Sequence, residues 1–416
     1  MVTAVAAVGC GASSSPRKLP RAVEKMPGEP IIRVRLHEKT SQITFNGPKR
    51  IQVSTASGAG RSHLLATPVT LSLSGRTWSG PWPEGGLNRR ETLVVEAVGP
   101  AAVQVGKRAY PGVIHLVPAT GASLTTEERD AFDVVNHLGI ESYLPGVLEH
   151  ELYANFQPAT YLSQAIVART YAISGMIDRG GSGHFDVEST IDSQVYGGQA
   201  TRPIARRAAA DTVGLVLTHQ GKIFTAYYSS TCGGVRQSPA DAFGGSSTVT
   251  PLEPKATHSW CHISPRYEWG PVQRDVAELS KRIAAWGQHR NLAIGQLGTV
   301  IDIRVVKSNH LGRPLRFRMI DHRGKAYELK ADSLRHASNH HDEAQGLAPV
   351  SGDDNIRSGH FDIAIRDGKA HFTNGRGFGH GVGFCQFGAE GMARAGNDPT
   401  EILAENYPGA QIKKAY

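Results

Sequence analysis

The sequence predicts an α+β fold. A β-rich region over about residues 31–130 precedes a mixed helical and β core over 131–416, with an inserted β subdomain at about 290–375. Three observations carry this reading. Short apolar segments alternate with Gly, Asn and Pro turns up to residue 117. An unbroken run of small and apolar residues then follows at helical spacing, and strand-like alternation returns after residue 297.

In the first region Ile31-Ile32-Arg33-Val34-Arg35-Leu36 alternates, Ile43-Thr44-Phe45 and Val69-Thr70-Leu71-Ser72-Leu73 follow, and Asn46-Gly47-Pro48 and Glu84-Gly85-Gly86 supply turns. The core opens with Val134-Val135-Asn136-His137-Leu138 and a helical segment, Gly146-Val147-Leu148-Glu149-His150-Glu151-Leu152. Behind it, Gln164 to Ala172 places Ala165, Ala168 and Ala172 three to four residues apart, so another element can approach this helix closely. Pro158 suits its first turn, where no amide hydrogen is needed. Glu149 and Glu151 point about 200° apart on a helix, so only one of them faces any given cleft.

A polar loop, Asp192-Ser193-Gln194-Val195-Tyr196-Gly197-Gly198, follows the helix pair. A helix from Ala205 to Thr212 comes next, then a hairpin that delivers Ser229-Ser230-Thr231-Cys232-Gly233-Gly234. Strands at Val300–Val306 and Leu315–Ile320 mark the insert, and His336 to Ser358 reads as a polar loop. Five glycines surround His380 between Gly377 and Gly388, and Glu401–Asn406 is a short closing helix.

Four blocks in order resemble the stage II sporulation protein D family, which includes the amidase enhancers called LytB. They are Tyr143 to Leu152, Ala165 to Ala172, Ala226-Tyr227-Tyr228-Ser229-Ser230-Thr231-Cys232-Gly233-Gly234, and Gly377 to Ala389 with Tyr407-Pro408-Gly409 behind it. The resemblance implies a lytic transglycosylase acting on peptidoglycan. Glu151 would protonate the oxygen between MurNAc and GlcNAc, then take the proton of the 6-hydroxyl as a 1,6-anhydro end forms. It further implies substrate contacts from Arg169, Tyr171, Gln194, Tyr196, Ser229, Ser230, His380 and Gln386. The enhancer branch implies an alternative, a non-catalytic wall binder that stimulates an N-acetylmuramoyl-L-alanine amidase. This chain departs from the family pattern with Leu152-Tyr153, Ala159 and Leu162, beside the acid rather than at it.

Export to the periplasm or cell envelope is expected mainly from the family. Met1 to Gly11 also resembles the end of a lipoprotein signal with Cys10 as the lipidation candidate, and residues 11–30 read as a tether. In an exported protein, Cys232 and Cys261 are read as a disulfide, or as zinc ligands together with His258 or His262. No cofactor is required by the chemistry, and Cys385 reads as a small apolar residue. His150-Glu151 lacks the second histidine of a helical metalloprotease motif. The formal charge is +8, but Lys and Arg are dispersed, which argues against nucleic acid and fits an anionic wall. Expected partners are therefore glycan strands and an amidase, with any membrane contact made through a lipid anchor.

Overall fold

The computed structural model describes residues 21–416 apart from 24–25, 59–61, 76, 83–90, 121–124, 126–127, 191–192, 245–248 and 257–259. Cys10, the leader, the turn at Glu84-Gly85-Gly86 and His258 lie outside the described residues. Helices and strands are both abundant, an α+β fold. Eight helices are used below: α1 (Ile140–Glu151), α2 (Pro158–Arg179), α3 (Pro203–Asp211), α4 (Pro239–Ala242), α5 (Val276–His289), α6 (Ala331–Ser338), α7 (Gln386–Arg394) and α8 (Pro399–Asn406).

Alternating burial builds two sheets in the first region. In Gln42–Gly47 and Val69–Ser74 every second side chain is buried, the signature of strands with one wet face. A five-stranded sheet contains both segments. A seven-stranded sheet runs, in spatial order, through 187–188, 31–40, 132–139, 113–118, 93–97, 50–55 and 63–66. Ile31–Thr40 pairs antiparallel with Phe132–Gly139, Val34 lying opposite Asn136. That pairing crosses the expected boundary near residue 130, and one hydrophobic cluster joins Phe45, Ile51 and Val95 to Leu144, Val147 and Ala168. The β-rich region and the helix pair therefore share a core.

The helix α2 is the pivot. It starts at Pro158 and ends at Gly180, whose left-handed backbone accommodates the stop. Ala165, Ala168 and Ala172 face the first cluster, while Ile166 and Val167 face another formed with Leu217, Phe384, Ile402 and Tyr407. Buried all round, it gains about 1.5–3 kcal/mol from each large apolar side chain it hides. At Gly146 of α1, an added Cβ would meet the carbonyl oxygen of Gly198 at 2.1 Å, so only glycine lets the 196–198 loop pack there.

The insert is wider and more helical than its sequence suggests. Its cluster runs from Trp269 to Phe372 and includes Leu279, Ile283 and Trp286 of α5, ahead of the expected start near 290. Two three-stranded sheets flank it: 300–308, 314–321 and 326–330 in one, 272–275, 369–373 and 362–366 in the other. The segment read as a polar loop after His336 contains the end of α6 and two short 3-10 turns. The expected hairpin also differs. Lys222–Ile223 turns back on Leu215–His219, but Tyr228–Ser229 pairs in parallel with Phe384–Cys385.

Candidate active site

Glu151 is the last residue of α1, where the negative end of the helix dipole disfavours another negative charge. The backbone amide of Val195 donates to its Oε1 at 3.0 Å, the Tyr228 hydroxyl to the same oxygen at 3.2 Å, and Gln386 Nε2 to Oε2 at 3.3 Å. Burial raises its pKa above the ordinary carboxylate value, and these three neutral donors offset only part of that shift. Among the described residues no Lys or Arg pairs with the carboxylate, and the His150 charge lowers its pKa less than these hydrogen bonds do.

Two residues earlier, Glu149 turns to the start of α3. It accepts from the amides of Thr201 and Arg202 at 2.6 and 2.8 Å and from the Thr201 hydroxyl at 2.8 Å. Burial would raise its pKa, but these hydrogen bonds outweigh it and hold the group below its ordinary value.

A cleft of about 550 Å³ opens beside Glu151. Of the residues expected at the site, Tyr171, Ser229, Ser230, His380 and Gln386 line it. Burial lowers His380 to about 4, and its Nδ1 accepts from the Val382 amide at 3.0 Å, leaving a neutral ring at neutral pH. Gly383 lets the chain pass this close: at φ +69 an added Cβ would sit 2.1 Å from the Tyr227 carbonyl oxygen.

Three expected contacts lie elsewhere. Arg169 is fully buried and pairs with Glu141 at 2.7 Å while its guanidinium also donates to the Leu215 carbonyl. Gln194 is fully buried between the Tyr143 hydroxyl and the Ala168 carbonyl. Tyr196 is fully buried with its hydroxyl on Asn136. All three brace α1 against α2 and the sheet, and the loop residue that reaches Glu151 is Val195, through its amide.

Several cleft residues were not foreseen. Tyr228 sits next to the Ser229-Ser230 pair that was singled out, so its neighbourhood was visible though its role was not. Phe243 and Phe378 line the cleft and are 45% and 41% exposed, which leaves their rings open to solvent at its wall. From the insert, α6 contributes Asp332, Arg335 and His336 at i, i+3 and i+4, on one helix face. Arg335 Nε lies 2.9 Å and His336 Nε2 3.4 Å from the Asp332 carboxylate. Burial alone would raise Asp332, yet Arg335 and His336 hold it well below the carboxylate range.

The zinc or disulfide candidates regroup. Cys232 and Cys261 lie with sulfurs 3.6 Å apart, within hydrogen-bonding reach and not joined as a disulfide, and the third residue beside them is Cys385 rather than His262. Hydrogen bonding with Cys232, together with burial, pushes Cys261 up to about 12. The thiols thus fit a soft metal by type, with cysteine in place of histidine.

Residues 128–219 match the family model described as Stage II sporulation protein. The chain is 29% identical over 293 residues to an uncharacterised protein of Brachyspira hyodysenteriae, covering 70% of this chain and 71% of that one. It is 25% identical over 291 residues to the Amidase enhancer of Bacillus subtilis, covering 65% of this chain and 40% of that longer protein. To the Stage II sporulation protein D of the same organism it is 27% identical over 304 residues, 69% of this chain and 78% of that one. With the matched domain spanning α1 and α2 and these relatives extending along most of the chain, the protein is similar to the stage II sporulation protein D and amidase-enhancer proteins.

Proposed function

We propose that the protein is a peptidoglycan lytic transglycosylase of the cell envelope, with Glu151 as the single acid and base. The observation that carries this reading is a carboxylic acid of raised pKa at the wall of an open cleft, held by neutral donors alone. Protonated Glu151 gives its proton to the glycosidic oxygen. The resulting carboxylate then takes the proton of the MurNAc 6-hydroxyl as that oxygen attacks the anomeric carbon, and no water is consumed. Such proton transfer is worth about 10²- to 10⁴-fold in rate. The exposed rings of Phe243 and Phe378 suit the apolar face of a sugar. Neutral His380 offers a hydrogen-bonding ring rather than a charge.

Asp332 lies on the same cleft but is engaged by Arg335 and His336, which suits a charge-fixing role better than that of a second catalytic carboxylate. A second reading, a wall binder that stimulates an amidase, draws on the name of the Bacillus subtilis relative. A pure binder has no need of a buried acid without a cation.

The test is mass spectrometry of glycan strands, with and without stem peptides, after incubation with the protein and with Glu151→Gln. Anhydro ends from the wild type alone support the proposal. Binding without new ends moves the protein to the enhancer class, and reducing ends without anhydro sugar implicate Asp332 as a hydrolytic partner.

A further inference from the structure

Beside Glu151 the cleft wall gives way to a cluster of three aromatic rings. Gln386, which donates to Glu151, lines the cleft. The next residue of α7, Phe387, points away around the helix and meets Phe156 edge to face, with ring centroids 5.2 Å apart. Tyr153 closes the cluster, 5.4 Å from Phe156 and 5.6 Å from Phe387. Phe156 and Phe387 are buried, whereas Tyr153 is 59% exposed, the most exposed large apolar side chain among the described residues.

The local backbone explains why this ring is held out of the core. Leu152, between Glu151 and Tyr153, is extended and buried, so the chain leaves α1 with Leu152 turned inward and Tyr153 outward. The Tyr153 carbonyl accepts from the Phe156 amide and from the Tyr161 hydroxyl, both at 3.1 Å, which fixes the segment that carries the ring. Two ring neighbours then hold the side chain itself. A tyrosine fixed in this way offers a flat, partly apolar surface and has little freedom left to lose on binding. Tyr153 is also one of the positions at which the chain departs from the stage II sporulation protein D pattern, so the ring is a feature of this chain.

We infer that Tyr153 is the platform for one further N-acetylhexosamine of the glycan strand, the sugar that lies past the Glu151 edge of the cleft. The inference rests on the reading of the cleft as a glycan site. A strand bound across Glu151 continues on the side where Gln386 is followed by Phe387, and the ring open to solvent there is Tyr153. The apolar C–H face of the sugar lies on that ring, as it does on the cleft phenylalanines. Phe243 belongs to a separate group, with Tyr227 at 5.0 Å and His380 at 5.1 Å. A strand bound across the acid thus meets one aromatic group in the cleft and another beyond it. Tyr153 touches no reacting atom, and its part is to favour longer strands.

The test is calorimetric binding of β-1,4-linked N-acetylglucosamine oligomers, from dimer to hexamer, to the full chain carrying Glu151→Gln, which keeps the ligand intact. The same titrations are run with Tyr153→Ala and with Tyr153→Trp added to that background. Tyr153→Ala is expected to weaken hexamer binding by about 2- to 10-fold and to change the shortest oligomers less. Tyr153→Trp, which restores a ring, should regain the hexamer affinity. A merely structural loss would weaken every length alike. Equal hexamer affinity with and without Tyr153→Ala, or an equal loss at every length, overturns the platform and leaves the reading of the cleft standing. A background protein that binds none of the oligomers overturns that reading and the platform with it.

Discussion

The two ends of α1 carry the same side chain and use it in opposite ways. At the first turn, Glu141 meets the Arg169 guanidinium at 2.7 Å, the Gly214 amide at 2.9 Å and the Tyr416 hydroxyl at 2.6 Å. At the last turn, Glu151 meets three neutral donors and a cleft. The helix dipole favours a carboxylate at the first end and disfavours it at the second. A carboxyl paired with a guanidinium and one held by neutral donors are thus separated by less than four turns of helix, and the difference lies in the partners rather than in the residue.

The largest effect expected from breaking this contrast is on turnover. Glu151→Gln should lower glycan cleavage by about 10²- to 10⁴-fold while the far-ultraviolet circular dichroism stays unchanged. At the other end, Arg169→Ala leaves a partly buried Glu141 without its cation and should cost about 3 kcal/mol or more, read in denaturant unfolding. A rise in KM with unchanged stability would instead return Arg169 to the substrate.

Glu149 sharpens the comparison from within the same turn as Glu151. Glu149→Gln weakens the hydrogen bonds that hold Thr201 and Arg202 just ahead of α3 and should cost about 1 kcal/mol. The two groups also differ in their pH signs. The folded pKa of Glu149 is lowered, so its contribution is present above the unfolded pKa and lost as pH falls. The folded pKa of Glu151 is raised, so its contribution is present below the unfolded pKa and lost as pH rises through the folded one. At neutral pH Glu151→Gln should therefore match or exceed the wild type in stability, as thermal melts at pH 7 would register.

The smallest effect concerns Tyr228. Tyr228→Phe removes a donor that favours the carboxylate, so the pKa of Glu151 should rise further. The descending limb of cleavage against pH, where the general acid deprotonates, should then move to higher pH, and a shift downward would refute the role given to this hydroxyl.

The helix pair and Glu151 were legible because local spacing and a family motif both lay within one stretch. Gln194 and Tyr196 were misread because a polar loop looks alike whether it faces solvent or folds inward. What turns it inward is the Tyr143 hydroxyl and Asn136, more than fifty residues away. Asp332, Arg335 and His336 were missed because nothing in their own segment says that α6 will close over Glu151, some 180 positions earlier. Cys385 read as apolar filler because its neighbours Cys232 and Cys261 arrive only through tertiary packing.

The short parallel pairing of Tyr228–Ser229 with Phe384–Cys385 bears on the order of assembly. It closes a loop of about 150 residues, and the Gln386 contact with Glu151 spans 235 positions. Closing such loops costs chain entropy before any contact rewards it, and non-local contacts of this kind form slowly. The first-region sheets and the insert each hold their own nearby partners and need not wait. On a ribosome, the segment that delivers Gln386 emerges 235 positions after Glu151. The Glu151 site is therefore completed later in synthesis than α1 or the first-region sheets.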